Sequence, residues 1–162
     1  MALTKVQAEG INLADAFAFT GSVTGASILQ VKGTSASGES TTDSTSFVDN
    51  GLSALSITPS SASNKVLILF GVHLFSASGS GSSCITVFRD STDLNNTTYG
   101  VGYTNAGYPN FISGALLDNP NTTSSVSYQI KHRKINGGNV YSQINNNLST
   151  LTIMEIGSPI LT

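Results

Sequence analysis

The sequence contains very few charged residues. Only 7 lysines and arginines and 9 aspartates and glutamates occur among its 162 residues, and the net charge is −2. Charged residues make up about a quarter of a typical soluble chain, so other polar side chains must hydrate this surface. A small negative net charge also argues against bulk electrostatic binding to DNA or anionic membranes, so we expect no nucleic-acid partner.

Cysteine is almost absent. Cys84 is the only one, so no disulfide can form within the chain, and a domain of this length can bury a core without one. In its strand-like context, Cys84 is predicted to be a small buried apolar residue. The two histidines, His73 and His132, have no cysteine or histidine neighbour at metal-ligand spacing. We therefore expect no metal site and no cofactor.

Long apolar stretches are also missing. Lys5, Glu9 and Asp15 interrupt the apolar residues near the N-terminus, and no segment reaches the length of a transmembrane helix. We expect neither a secretory signal peptide nor membrane insertion.

Small polar residues are abundant: 25 Ser, 18 Thr, 14 Asn and 16 Gly. They separate short apolar runs of strand length, and no convincing helix is present. This pattern predicts an all-β domain over residues 26–162, an antiparallel two-sheet sandwich or jelly roll. The predicted strands are Ser27–Lys32, Ser46–Val48, Leu52–Thr58, Lys65–Phe75, Cys84–Arg89, Thr97–Tyr103, Phe111–Leu117, Val126–Ile135, Asn139–Ile144 and Leu151–Ile156.

Several segments between or within these strands have distinct compositions. The Ser/Thr/Gly-rich segment Gly33–Ser46 is predicted to be a loop, and Asn136-Gly137-Gly138 a tight hairpin turn. The basic run Lys131–Lys134 is interpreted as a solvated strand end.

The predicted strand Lys65–Phe75 is apolar on both faces. A sandwich buries one face of each sheet, so the second face needs a cover, and the last strand repeats this pattern. We predict a homo-oligomer that packs through these faces. The alternative is a loop of the same chain folded over the outer face. The predicted interface residues are Leu67, Leu69, His73, Phe75, Met154 and Ile156.

Residues 1–25 differ from the rest of the chain. Their apolar residues are widely spaced, and the segment ends near two glycines, Gly21 and Gly25. We predict an extended N-terminal arm that is buried against a partner protein; the alternative is a first strand with a loose start. The predicted anchor residues of the arm are Leu3, Val6, Ile11, Leu13, Phe17 and Phe19.

The segment from Tyr99 to Phe111 is rich in Tyr, Gly and Asn. Binding loops use this combination, because tyrosine offers a rigid amphipathic surface and glycine permits unusual backbone shapes. The candidate receptor-binding residues are Tyr99, Tyr103, Asn105 and Tyr108, for a host-surface glycan or protein. The alternative is that Tyr99 and Tyr103 pack on a sheet face.

Catalytic motifs are scarce. The sequence has no phosphate-binding G-x-x-x-x-G-K-[ST] loop and no G-x-S-x-G elbow. Asp90 and Asp93 have the carboxylate side chains that a calcium site or glycoside cleavage requires, but a charged turn after a strand explains them better. We therefore predict no catalytic residues, with a carbohydrate-active enzyme as a disfavoured alternative.

The opening Met1–Asp15 and the pieces Ser46–Leu52, Ile57–Leu67, Phe88–Thr92 and Leu151–Ile156 resemble fibre-like structural proteins of marine and cyanobacterial tailed phages. The resemblance covers most of the chain, although no fibre shaft is present. It implies a homotrimeric virion component with a β-rich head, held by its N-terminal arm to other virion proteins of the tail, neck or capsid.

Two virion roles follow from this resemblance: a short tail fibre or fibre-head module that binds the host, or a head fibre or capsid decoration protein. Trimeric ligands of the tumour-necrosis-factor or complement-C1q type would share the fold class. The missing signal peptide argues against a cellular ligand of that type.

Overall fold

The computed structural model describes residues 28–77, 81–105 and 107–157, so the predicted arm lies outside the described residues. Within these ranges the chain is all-β, apart from one 3-10 turn at Ile144–Asn146. The strands are β1 (Ile28–Ala36), β2 (Ser40–Thr42), β3 (Val48–Asp49), β4 (Leu55–Ile57), β5 (Lys65–Ser76), β6 (Ser82–Arg89), β7 (Thr92–Asp93), β8 (Gly102–Asn105), β9 (Asn110–Asp118), β10 (Val126–Asn136), β11 (Val140–Ser142) and β12 (Ser149–Ile156).

These strands form two antiparallel sheets. In the first sheet, β5 is central: β12 and β11 pair with one edge and β9 with the other, while β1 pairs with β12 and β2 with β11. In the second sheet, β10 and β6 are central, flanked by β3 and β4 on one side and by β7 and β8 on the other. The predicted antiparallel β-sandwich is confirmed.

The hydrophobic core lies between the two sheets. Alternate residues of each long strand supply it, because successive side chains of a strand point to opposite faces. Full burial of one such aliphatic side chain contributes about 1.5–3 kcal/mol. The first sheet contributes Val66, Ile68, Phe70, Val72, Leu74, Leu151 and Ile153, and the second contributes Ile57, Ile85, Val87, Val126, Tyr128 and Ile130.

Two local predictions are wrong. Gly33–Ser46 is not one loop, because β1 continues to Ala36 and β2 covers Ser40–Thr42; pairing with β12 and β11 gives these polar residues their backbone partners. Asn136-Gly137-Gly138 does not close a hairpin, since β10 and β11 belong to different sheets. Only Gly137 of the three has a positive φ, of 76°, whereas the common primed Asn-Gly turn needs two.

One side of the sandwich is held by Glu155, a fully buried carboxylate at the end of β12. It accepts hydrogen bonds from Gln30 Nε2 at 2.5 Å, from the Ser60 amide at 2.6 Å and from Asn64 Nδ2 at 2.6 Å. Burial raises the pKa of Glu155, but the hydrogen bonds from Asn64, Ser60 and Gln30 outweigh this and lower the pKa below its usual value. The charged carboxylate therefore ties β1 and the β4–β5 turn to β12.

Asp118, at the end of β9, lies across β5 from Glu155, since both residues pair with Val66. Its carboxylate accepts two 2.9 Å hydrogen bonds from Arg89 Nη1 on β6 and one of 2.6 Å from the Tyr128 hydroxyl on β10. Arg89 and Tyr128 belong to the second sheet, whereas β9 belongs to the first. This ion pair therefore joins the two sheets where the core ends.

His132 lies inside the sandwich and is fully buried. Its Nδ1 is 2.8 Å from the Ser142 hydroxyl, so it links β10 to β11 across the two sheets. Burial lowers its pKa to about 4, and the opposing influence of Asp49 does not reverse that shift. The imidazole is therefore neutral at physiological pH.

We expect the Glu155→Gln variant to lose about 1–3 kcal/mol in the free energy of unfolding at pH 7. The neutral amide accepts weaker hydrogen bonds than the carboxylate, and its NH₂ group would face the NH₂ group of Gln30. Urea unfolding monitored by circular dichroism measures the change. Glu39→Gln makes the same change at an exposed position and is the matched control, and we expect it to change stability by less than about 0.5 kcal/mol. Equal stability of Glu155→Gln and the wild type would contradict this role.

We expect acid to destabilise the protein through His132. The histidine pKa is 6.5 in the unfolded chain and about 4 in the folded one, so its contribution is complete above pH 6.5 and declines as the pH falls towards 4. The full loss is about 3 kcal/mol, since one pKa unit corresponds to about 1.4 kcal/mol. Urea unfolding between pH 7 and 4 should show a smaller loss for His132→Gln. An NMR titration in which His132 gains its proton near pH 6.5 would contradict the prediction.

Candidate functional site

The outer side of the first sheet forms a contiguous surface, here called the apolar face. Every second residue of β5 points away from the core: Leu67, Leu69, His73 and Phe75 are exposed or half-buried. Met154 and Ile156 lie beside them on β12, paired across the sheet with Leu67 and Lys65. The structure thus brings all six predicted interface residues onto one surface. Whether a second subunit covers them stays a prediction.

Strands β1 and β9 extend the apolar face beyond the predicted residues. Val31 of β1 pairs with Met154, and Phe111 and Leu117 of β9 pair with His73 and Leu67. These three side chains are 57%, 56% and 57% exposed, which is unusually high for large apolar groups. Sequence reasoning missed them because β1 and β9 are apolar on both faces at only a few positions. In β9, the adjacent residues Leu116 and Leu117 must point to opposite faces, and this pair could have revealed the outer apolar residue.

A shallow depression of about 500 Å³ lies in the middle of the apolar face. Its small side chains include Ser113, Ala115 and Thr152, while Leu69 and Phe111 also line it. The Phe111 ring lies over Gly71, where any Cβ atom would overlap it. It also contacts the His73 imidazole, with ring centroids 4.7 Å apart. Among the described residues, no charged side chain lines the depression, so this lining suits an uncharged, apolar group.

The outer side of the second sheet has a different character. Lys131 Nζ lies 4.3 Å from the centroid of the Phe88 ring, and the Arg133 guanidinium lies 4.5 Å from that of Phe47. A cation over an aromatic ring is attracted to the ring face, and its side chain shields the ring from solvent. The interpretation of Lys131–Lys134 as a solvated strand end is wrong, because these residues lie within β10 and His132 between them is buried.

Tyr99 and Tyr103 form a contacting pair, with their rings tilted by 40°, on the outer side of the second sheet; this pair is here called the tyrosine platform. Their ring centroids are 4.8 Å apart, and the side chains are 51% and 50% exposed. The predicted strand Thr97–Tyr103 is wrong in its first part: a turn runs to Val101, and β8 begins at Gly102. Both rings pack on the outer face of this sheet, as the alternative expected, and neither ring is buried, so the receptor-binding role stays a prediction.

The other two candidate receptor residues lie further along the chain. Asn105 ends β8 and is exposed, and Tyr108, 78% exposed, follows in the turn before β9. Among the described residues, no ring contact joins Tyr108 to the tyrosine platform. The four candidates are therefore all at the surface, but the structure brings only two of them into contact.

The turn before β8 is held by several hydrogen bonds. The side chains of Asn95 and Thr97 donate to the carbonyl of Gly100, and the Val101 amide donates to Ile85 at 2.8 Å. Gly100 has a φ of 58°, and a Cβ there would overlap the backbone of Ile85, so glycine is required. This turn fixes the position of Tyr99.

The remaining candidates serve the fold. The Asp90 carboxylate accepts the Ser127 amide at 2.9 Å, and that of Asp93 accepts the Thr86 hydroxyl at 2.6 Å, so each holds a turn or strand in place. Cys84 is fully buried, as predicted, and burial raises the pKa of its thiol. Over the ranges that the structure describes, no three potential metal ligands cluster. No helix in those ranges is long and apolar enough to cross a membrane.

Comparison with known proteins adds little to this description. No protein-family model and no curated protein matches the sequence. The chain is similar to a structure of infectious bursal disease virus strain Gx, with 10% identity and a TM-score of 0.43 over 78% of this chain and 36% of the viral one.

A mutant VP2 protein of the same virus, in T=1 particles, is also similar, with 11% identity and a TM-score of 0.37 over 80% of this chain and 37% of the VP2 chain. The chain thus spans little more than a third of the viral chains that it matches. Neither is a tailed-phage fibre, so the fibre assignment stays a prediction.

Proposed function

We propose that this chain is a non-enzymatic structural protein of a virion and that it assembles into a homotrimer through the apolar face. The observation that supports this proposal is the exposure of that face, where Val31, Leu69, Phe111 and Leu117 form one apolar surface with Lys65 at its end. An apolar surface of this kind is costly to leave in water and marks an interaction site. A second copy is the partner that fits best, since closed symmetry lets identical apolar faces cover each other.

In the proposed particle, the N-terminal arm attaches the trimer to other virion proteins, and the β-sandwich is displayed outwards. The arm precedes β1, which lies at one edge of the first sheet. A short tail fibre or fibre-head module that contacts the host is our leading assignment. A head fibre or capsid decoration protein is the second, and localisation of the subunit on the particle distinguishes the two.

We expect Leu69→Asp to abolish assembly. An unpaired carboxylate buried between subunits costs several kcal/mol, which weakens association at least about a hundredfold. Sedimentation velocity at micromolar concentration measures the oligomeric state. Asn105→Asp adds the same charge at an exposed position of the second sheet, so this control should remain trimeric. A monomeric wild-type protein would contradict the proposed assembly.

We also expect residues 1–25 to be dispensable for folding and required for attachment to the particle. The core is built from residues 52–153, so removal of the arm should leave a cooperative thermal transition. Incorporation of the shortened protein into particles, measured by quantitative immunoblotting, should be lost. If the shortened protein unfolds, the arm belongs to the sandwich and the proposed boundary is wrong.

A further inference from the structure

We propose that the tyrosine platform on the outer side of the second sheet binds a neutral saccharide. The inference rests on the proposed display of the sandwich at a host surface, and it specifies the ligand class and the residues that hold it. Tyr99 and Tyr103 are half exposed although their rings contact each other, so their outward ring surfaces are open to a ligand.

The platform is rigid before any ligand arrives. Besides the turn that fixes Tyr99, Arg133 donates from Nη2 to the Thr98 carbonyl at 2.7 Å and from Nη1 to the Thr45 carbonyl at 3.3 Å. Tyr103, Cys84 and Arg133 are register neighbours across β8, β6 and β10, so this arginine lies beside the platform. Preorganised aromatic groups lose little conformational entropy on binding, and Arg133 is therefore a positioning residue.

The charged side chains of this face already have contacts within the protein. Lys131 and Arg133 lie over aromatic rings, the Asp49 carboxylate accepts the Gly51 amide at 2.8 Å, and Asp93 accepts the Asn95 amide at 3.0 Å. An ionic ligand would lose its hydration and would have to replace these contacts to gain a charged partner. This balance favours an uncharged ligand over an acidic one.

A saccharide has the mixed polarity that the platform offers. The C–H face of a pyranose ring packs on an aromatic ring, and the hydroxyl groups at its rim require hydrogen-bond partners. The side chains of Asn96 and Thr98 are exposed in the turn that carries Tyr99, and they supply such partners. A purely apolar ligand would leave these groups without partners and would fit the apolar face better.

The test uses the full chain on a printed array of neutral and acidic oligosaccharides, followed by calorimetric titration with the neutral oligosaccharide that binds best. We expect the Tyr99→Ala, Tyr103→Ala double variant to weaken binding by about 30-fold or more, the loss typical of an interface hot spot. Tyr99→Phe with Tyr103→Phe keeps both rings and should retain most of the affinity. Thr123→Ala, at an exposed position between β9 and β10, is the control and should bind like the wild type.

Arg133→Gln tests the positioning role. It should weaken binding by increasing the mobility of the turn, so NMR relaxation of residues 97–100 should show increased motion. Wild-type relaxation in this variant would contradict that role.

Three results would overturn the inference: no saccharide bound on the array, a preference for acidic saccharides, or full binding by the double alanine variant with an unchanged melting transition. Sedimentation velocity of each variant distinguishes failure of the saccharide inference from failure of the proposed assembly. The platform variants should remain trimeric, and a protein that binds saccharide as a monomer would contradict the assembly alone.

Discussion

A central strand that is apolar on both sides constrains the whole molecule. The inner side of β5 supplies five core residues, and its outer side carries Leu67, Leu69 and Phe75 to the surface. A single sandwich can bury only one of these sides. Residues of β1, β9 and β12 continue the outer apolar surface, so the exposed area belongs to the sheet and not to one side chain.

With so few charged residues, the protein uses several of them as links between separate strands. Glu155 and Asp118, which flank Val66 in the first sheet, each receive three or more hydrogen bonds. Lys32 Nζ donates to the Ser56 carbonyl at 2.6 Å. Lys131 and Arg133 cover aromatic rings on the second sheet. Within the described part of the chain, no charged side chain covers the apolar face in this way, and this contrast between the two outer surfaces is the basis of the proposed division of roles.

Alternation of apolar residues predicted the β-sandwich and the surface position of Leu67, Leu69 and Met154, because side-chain direction follows directly from strand geometry. It could not predict which strands pair. The Asn136-Gly137 turn has the sequence of a hairpin, yet Val140 pairs with Ser76 and Thr42 in the other sheet. Pairing of distant strands depends on the packing of the whole sandwich, to which a local turn contributes little.

The candidate binding residues show the same limit. Composition identified Tyr99 and Tyr103, but it gave no indication that Arg133, about 30 residues further along the chain, donates to the carbonyl of Thr98 beside Tyr99. That contact depends on the pairing register of β8, β6 and β10, which a single sequence does not reveal.

The two sheets lie back to back, so a partner on the outer side of the first sheet leaves the outer side of the second uncovered. A homotrimer built through the apolar face would therefore carry three tyrosine platforms on its periphery. Weak binding at each platform would then add up at a surface that displays many copies of one saccharide, because linked sites raise the effective concentration for one another. A monomeric sandwich would have a single platform and would lack this increase in binding strength. Assembly through the apolar face would therefore strengthen recognition by the opposite side of the sandwich.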